Sequence, residues 1–415
     1  MRIAVIGSGI SGLAAANYLS RKHEVSVFEN DTRLGGHTHT VTVESSRGPL
    51  AVDTGFIVHN DRTYPNLVRL LAELGVETQP SDMSFGVACR HTGFEYSSRG
   101  INGFFAQRRN LVRPSQYSLL REILRFNREA PGLLESPSAA KLTLGDVIEQ
   151  GAYSSLFTER YLFPMASAVW SMSTAAIRSF PALTLLRFFD NHGMLGINTH
   201  PRWKVVRGGS HSYIGPLTAP YRDRIYTGVT LQSVARCDSE VTLQFQDRPP
   251  LAFDQIVFAC HGNQTLPLLE SPSDAEREVL GNFKTSRNEV CLHTDSSLLP
   301  VRRQARASWN YHLSRDPGAG ATLTYHMNRL QSLDVREDYC VTMNASDAIN
   351  PGKILRRMVY YHPTYTQEAV RAQARWKEIS GVNRTHYCGA YWAYGFHEDG
   401  LCSALRVARI LGVEC

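Results

Sequence analysis

Apolar and polar positions alternate in blocks from the first residues. Arg2 to Ile6 is an apolar, β-branched run, and a turn rich in glycine follows, Gly7-Ser8-Gly9-Ile10-Ser11-Gly12. Leu13 to Leu19 is a small-residue helical run, and Val25 to Phe28 is a second apolar run. Short continuous apolar runs bounded by turn residues predict strands buried on both faces. The opening therefore reads strand, turn, helix, strand. Thr40 to Val43 and Leu50 to Val52 flank Arg47-Gly48-Pro49 and read as a hairpin. Pro65 to Leu74 has helical spacing and stops at Gly75. Ser84 to Tyr96 alternates like strands.

Ile101 to Glu129 reads as a basic amphipathic helix, with Leu120, Ile123 and Leu124 at helical spacing and arginine at 108, 109, 113, 121, 125 and 128. Two readings stay open for it: a face lying on anionic lipid headgroups, or an apolar face packed on the body with solvated arginines. Leu144-Gly145-Asp146 opens another helix, and Phe180 to Gly193 is a further one. Arg224 to Val229 and Val234 to Phe245 read as strands, and Leu251 to His261 as a hairpin leading into a buried strand. Val290 to Asp295, Ala307 to Tyr311, Thr322 to Met327 and Tyr339 to Met343 are strand-like, and a last helix ends near Leu411.

The longest uncharged apolar stretch, Tyr161 to Ile177, contains Pro164 and several hydroxyl residues. It is short for a membrane span and reads as core or as a pocket wall. The 415 residues suffice for two domains. The formal charge of +6 is carried mostly by arginine, without lysine blocks. That pattern argues against a nucleic-acid partner and suits an anionic membrane surface or substrate. None of the eight cysteines forms a CxxC pair, and no His/Asp spacing suggests a ligand set, so no metal is assigned. The chain enters its first strand directly, without a secretory signal pattern, and a cytoplasmic location, peripheral at most to the inner membrane face, is expected.

The opening block carries the candidate chemistry. Gly7 allows the tight turn, Gly9 lets backbone approach a pyrophosphate, and Gly12 lets the helix lie close on the sheet. Ser11 lies in the first turn of a helix whose N-terminus favours phosphate. Glu29 follows Gly7 by 22 residues, where a carboxylate can accept from ribose hydroxyls. These residues predict a bound dinucleotide.

With Gly35-Gly36 included, the chain resembles the FAD-dependent amine oxidase and phytoene desaturase superfamily, where a second glycine pair runs along the flavin pyrophosphate. Many members place arginine next; here the residue is His37. The strings VDTGFIVHN, TYPNL and ERYLFPMASAVWS resemble a bacterial subgroup of NAD/FAD-binding flavoproteins associated with cyclopropane-fatty-acid-synthase-like methyltransferases. The resemblance implies an α/β fold: a Rossmann-like FAD-binding domain of the amine oxidase type (1–85, 203–282 and 375–415) and a second α+β substrate domain (86–202 and 283–374). It places Thr38, Thr54, Gly55, Phe56, Val234, Gly389, Glu398, Asp399 and Leu401 at the cofactor. Thr54 to Phe56 can equally be a structural turn, and Glu398 and Asp399 plain helix-start acids. His261 faces the cofactor or caps the next helix.

The function implied is FAD-dependent hydride transfer to flavin N5 from an unsaturated or methylated fatty acyl or phospholipid chain, introducing or moving a double bond. His37, His397 and Glu398 are the candidate proton handlers. Two alternatives stay open. One is a flavin amine oxidase, with Tyr391, Trp392 and Tyr394 as candidates for its paired aromatics and Lys284 as a poorly matching flavin lysine. The other is a non-catalytic flavoprotein partner of a lipid methyltransferase.

Overall fold

The computed structural model describes residues 1–414 other than 197–200, 315, 317 and 319. Its centre is a five-stranded parallel sheet. In spatial order the strands are Ile225–Tyr226, Glu24–Phe28, Arg2–Ile6, Gln255–Phe258 and Thr385–Tyr387. Three distant segments of chain thus meet in one sheet. Ile3, Ala4, Val5, Val25, Val27 and Val257 have no solvent exposure, as strands covered on both faces require. The helix Ile10–Leu19 is buried along its whole length. It lies between the sheet and the C-terminal helix His397–Ile410.

A three-stranded meander, Leu231–Arg236, Val241–Phe245 and Leu251–Phe253, leads into the fourth strand. Arg236 ties it to the sheet: its guanidinium meets the Glu276 carboxylate at 2.6 Å, with both side chains almost fully buried. The Tyr387 hydroxyl donates to the same carboxylate at 2.5 Å. Removing one member of such a pair strands a buried charge, at a cost of about 3–5 kcal/mol.

The second layer is a seven-stranded mixed sheet. One edge is the 11-residue strand Ile354–Thr364, paired antiparallel with Lys284–His293. The other edge is the hairpin Phe85–Cys89 and Phe94–Ser97. Helices between residues 100 and 191 cover this sheet and share a second apolar core with it.

The basic segment differs from a single helix. Short helical turns at Gly100–Phe104 and Arg108–Val112 precede a long helix, Pro114–Glu135. The break falls at Arg113, whose backbone is extended (φ −100°, ψ 113°), because the ring of Pro114 excludes the preceding residue from the helical region. In the 161–177 stretch, a π-helical turn Thr158–Leu162 leads into Phe163–Trp170, which ends at Ser171 in the left-handed region (φ 55°). Among the described residues no helix is long and apolar enough to cross a membrane.

Many imidazoles are buried in this fold. Burial is the main cause that lowers His59, His192, His293, His312, His362 and His386 to about 4. The fold favours their neutral forms, so their contribution is present above the unfolded value of about 6.5 and is lost as pH falls through about 4. Two acids oppose this: burial raises Asp53 to about 6 and Asp399 to about 7, which favours the fold at lower pH. Six histidines outweigh two aspartates. The thermal midpoint is therefore expected to be lower at pH 5 than at pH 7; an equal or higher midpoint at pH 5 contradicts the assignment of neutral buried imidazoles.

Candidate functional site

The site begins where the first strand stops. The Gly7 N–H donates to Phe28 O at 2.9 Å, and Gly9 stands at the N-cap of the next helix. A Cβ on Gly12 would lie 1.9 Å from Gly7 O, so only glycine lets the helix start this close to the strand end. The second glycine pair zips onto the first loop: Gly35 N–H donates to Ser8 O at 2.9 Å, and a Cβ on Gly36 would meet Gly9 Cα at 3.1 Å. Glu29 Oε2 accepts from the Ser8 N–H (2.8 Å) and hydroxyl (2.7 Å), while Oε1 accepts from Asp31 N–H (2.9 Å). The carboxylate is thus held at the mouth of the loop.

A cavity of about 1940 Å³ opens over these residues. Gly7, Gly9, Ser11, Glu29 and Gly36 line it, and so do Val229, Thr230 and Leu231. Val234 does not. It is fully buried in the meander, and its carbonyl accepts from Glu270 N–H at 3.2 Å. The chain touches Glu29 earlier, through Val229 N–H (3.0 Å), and turns into the meander from there. Val229–Leu231, rather than Val234, are the residues of this stretch that line the cavity.

Further along the same cavity lie His37, Gly55, Phe56, Gly389 and His397. The backbone at 53–56 crosses that at 37–39: Thr54 N–H donates to His39 O (2.9 Å) and Phe56 N–H to His37 O (2.7 Å). A Cβ on Gly55 would lie 2.1 Å from His37 O. His397 stacks on Phe56, with centroids 3.6 Å apart. Its Nε2 is 2.9 Å from the Thr38 hydroxyl and 3.2 Å from the Tyr213 hydroxyl. Burial pushes its pKa down to about 3. Thr38 and Thr54 act behind the wall: Thr54 Oγ1 reaches His39 O (2.9 Å) and the Tyr360 hydroxyl (2.7 Å).

His37 occupies the centre of an imidazole cluster. Its ring lies 5.9 Å from His261, 5.3 Å from His362 and 5.2 Å from Tyr360. Its Nε2 is buried without a hydrogen-bond partner. Burial, then the neighbouring imidazoles, hold it well below the usual histidine range. The tautomer of His362 follows from its neighbours. Asn344 Nδ2 donates to Asn288 Oδ1 (2.8 Å), which orients the Asn288 amide so that its Nδ2 donates to His362 Nδ1 (2.9 Å). Neutral His362 therefore carries its proton on Nε2. Among the described residues no three His, Cys, Asp or Glu side chains are grouped to hold a metal ion. His261 does two things at once: it lines the cavity and it starts the helix Gly262–Thr265.

Glu398 is corrected as a proton handler. Its carboxylate accepts from the backbone N–H groups of Asn66 (3.0 Å) and Leu67 (2.9 Å) and from Asn66 Nδ2 (2.6 Å). It caps the helix Pro65–Glu73 and is outside the cavity lining. Asp399 accepts from Phe396 N–H at 2.9 Å, closing the first turn of its own helix, and Leu401 is fully buried in the core. Of the aromatic trio, Tyr391 and Trp392 stay together, with rings 5.2 Å apart and both packed on Phe283, and Tyr391 lines the cavity; Tyr394 lies apart, against Phe188. Lys284 is exposed at the start of its strand. Tyr360 and His362 were missed. They sit two apart on the strand Ile354–Thr364, a spacing that places both side chains on one face.

The far arm of the cavity is apolar. Phe104, Leu120, Ile123, Leu124, Tyr161 and Met165 wall it. Asp82, a carboxylate that lines the same cavity, is paired with Arg329 (3.3 Å) and Arg99 (3.9 Å). Single ligand pockets measure about 300–1,000 Å³, so this cavity has room for a dinucleotide and a second, elongated molecule. The glycine cradle, the Glu29 carboxylate at its mouth and the helix N-terminus together fit FAD.

A family model described as flavin containing amine oxidoreductase matches residues 10–318. The flavin-containing amine oxidase A of Bos taurus is 33% identical over 156 residues, 36% of this chain. That stretch spans only 28% of the bovine protein's own length. Two solved structures share the fold across 99% of both chains: cyclohexylamine oxidase from Brevibacterium oxydans IH-35A (TM-score 0.70, 15% identity) and a CLA-producing fatty acid isomerase from P. acnes (TM-score 0.72, 15% identity).

Purified protein is expected to be yellow. Glu29→Ala removes a charged acceptor and should weaken FAD binding about 10- to 100-fold, and Gly12→Ala should abolish it. FAD at 1,000 times Kd raises stability by about 4 kcal/mol, read as a higher melting temperature. A colourless protein whose melting curve ignores added FAD would falsify the cofactor assignment.

Proposed function

The chain belongs to the family of flavin-containing amine oxidoreductases and is an FAD-dependent oxidoreductase; from that premise we propose that its substrate is an unsaturated or methylated fatty acyl chain, in which it introduces or moves a double bond. One observation carries this reading. A single cavity is lined by the dinucleotide cradle, by the imidazoles of His37, His261 and His362, and by the apolar side chains of Phe104, Leu120, Ile123, Leu124 and Met165. A free carboxylate is one group that would receive an ammonium substrate. The lining carboxylates are Glu29, Asp31 and Asp82, and each is already engaged. The fold shared with a fatty acid isomerase and the resemblance of VDTGFIVHN and ERYLFPMASAVWS to a lipid-associated subgroup point the same way.

When bound, FAD supplies a hydride acceptor. Everything else falls to the protein. The apolar arm holds the acyl chain extended and keeps water out. The proton that leaves the neighbouring carbon needs a base inside the cavity, and His37 offers a buried, unpartnered Nε2 in the neutral state. His362 Nε2–H, held by Asn288, is the complementary donor for returning a proton to a shifted double bond. His397 is bound to Thr38 and Tyr213 and holds the wall formed with Phe56.

Anaerobic mixing tests the substrate class. An unsaturated fatty acid is expected to bleach the flavin or to return with its double bond displaced; monoamines and diamines should do neither. His37→Phe should keep FAD and lose about 10²–10⁴ in kcat. Bleaching by amines with inert fatty acids would establish the amine oxidase reading instead. Inertness to both would favour a non-catalytic partner of a lipid methyltransferase.

A further inference from the structure

At the far end of the apolar arm the cavity wall becomes the molecular surface. Ile101 and Leu124 both line the cavity and are exposed, at 79% and 44%. Around them lie Leu111 (46% exposed), Val112 (84%) and Tyr117 (49%). Five large apolar side chains left in solvent within 24 residues make a patch rather than scattered exceptions. The same segment, residues 101–128, holds six arginines and one glutamate, a formal charge of +5.

The two features share one face. Tyr117, Arg121, Leu124 and Arg128 stand at i, i+4, i+7 and i+11 of the helix Pro114–Glu135, which is one exposed stripe. The neighbouring stripe, Leu120, Ile123, Leu124 and Asn127, lines the cavity. Gln116, Leu119, Phe126 and Ala130 on the opposite side are buried. Charge is sorted in the same way. Arg125 pairs with Glu129 at 3.4 Å, and the Glu122 carboxylate accepts from Ser154 N–H and hydroxyl. Arg109, Arg113, Arg121 and Arg128 have no carboxylate partner among the described residues. The outer face therefore presents apolar side chains ringed by unneutralised guanidinium groups.

We propose that this face docks on an anionic phospholipid bilayer, and that acyl chains pass from the bilayer into the cavity between Ile101 and Leu124. An amphipathic surface of this composition inserts its apolar side chains at the headgroup boundary while its cations meet lipid phosphates. An acidic protein would satisfy the arginines, but it gives no account of a cavity whose apolar wall opens through the same residues. The inference deepens the fatty acyl reading and supplies its route of entry.

The test uses the full-length, FAD-loaded protein and measures co-sedimentation with vesicles, which needs no turnover. Vesicles of phosphatidylcholine with phosphatidylglycerol are compared with pure phosphatidylcholine, at low and high salt. Wild type is expected to pellet with the anionic vesicles and to be released by salt. The triple variant Arg109→Glu, Arg113→Glu, Arg121→Glu should bind at least tenfold more weakly, and Val112→Ser severalfold more weakly. None of these residues lines the cavity, so flavin content and melting temperature should match wild type. If the triple variant proves unstable, Val112→Ser alone decides the matter. Wild type left in the supernatant, or variants that pellet like wild type, overturn the proposal. Vesicle binding together with inert fatty acids would leave the docking surface standing and remove the substrate reading.

Discussion

The contact on which the rest of the structure depends is the approach of Gly12 to the carbonyl of Gly7. There is no space for a single methyl group between them. Because the helix Ile10–Leu19 can start so close to the end of the first strand, its free N–H groups lie at the carboxyl edge of the parallel sheet, where anions are attracted. The same helix is pressed from its other side. A Cβ on Gly400 would meet Ser11 Oγ at 2.8 Å and Ile10 Cγ2 at 2.9 Å. The C-terminal helix thereby comes to rest against the glycine loop, and His397 at its first turn is delivered to the cavity. Residues nearly 400 apart meet because small residues on both helices permit it.

From that contact the site is built outward by backbone pairing. Gly35 and Gly36 fasten onto the loop, and the 53–56 segment crosses the chain just beyond them. This sets His37 between His261, at the end of the fourth sheet strand, and His362, on the long edge strand of the other layer. The two layers share the cavity wall. Its cofactor end is made of backbone and small residues, and its substrate end of large apolar side chains.

What was legible in the sequence follows from how local each signal is. The opening strands, the Pro65 helix and the glycine motifs are written in adjacent residues, and the structure shows them where the pattern puts them. The edge strand Ile354–Thr364 was not read, because an edge strand with two half-exposed faces has no clean alternation. Tyr360 and His362 went unseen with it. The acids of the last motif were legible as residues but not as roles. Glu398 binds amides of a helix 332 residues earlier in the chain, and no local pattern announces a cap supplied from such a distance. Val234 lies off the cavity for a related reason: which residues line it here, Val229 to Leu231, is set by where the chain leaves the sheet.

The charge distribution of the cavity ties these parts together. An imidazole beside an apolar substrate must stay neutral to take a proton, and burial enforces this without any charged partner: His37, His362 and His397 are all lowered mainly by desolvation. A lysine or a free carboxylate in the same place would carry charge into the apolar arm and demand water or a counter-ion there. The arginines are accordingly kept on the outer side of the helix that walls the arm, and the carboxylates nearest to it are satisfied by backbone amides, hydroxyls or guanidinium groups. Neutrality inside and cationic charge outside are thus two faces of a single helix. That arrangement suits a substrate whose reacting part is hydrocarbon and whose other end remains among anionic headgroups.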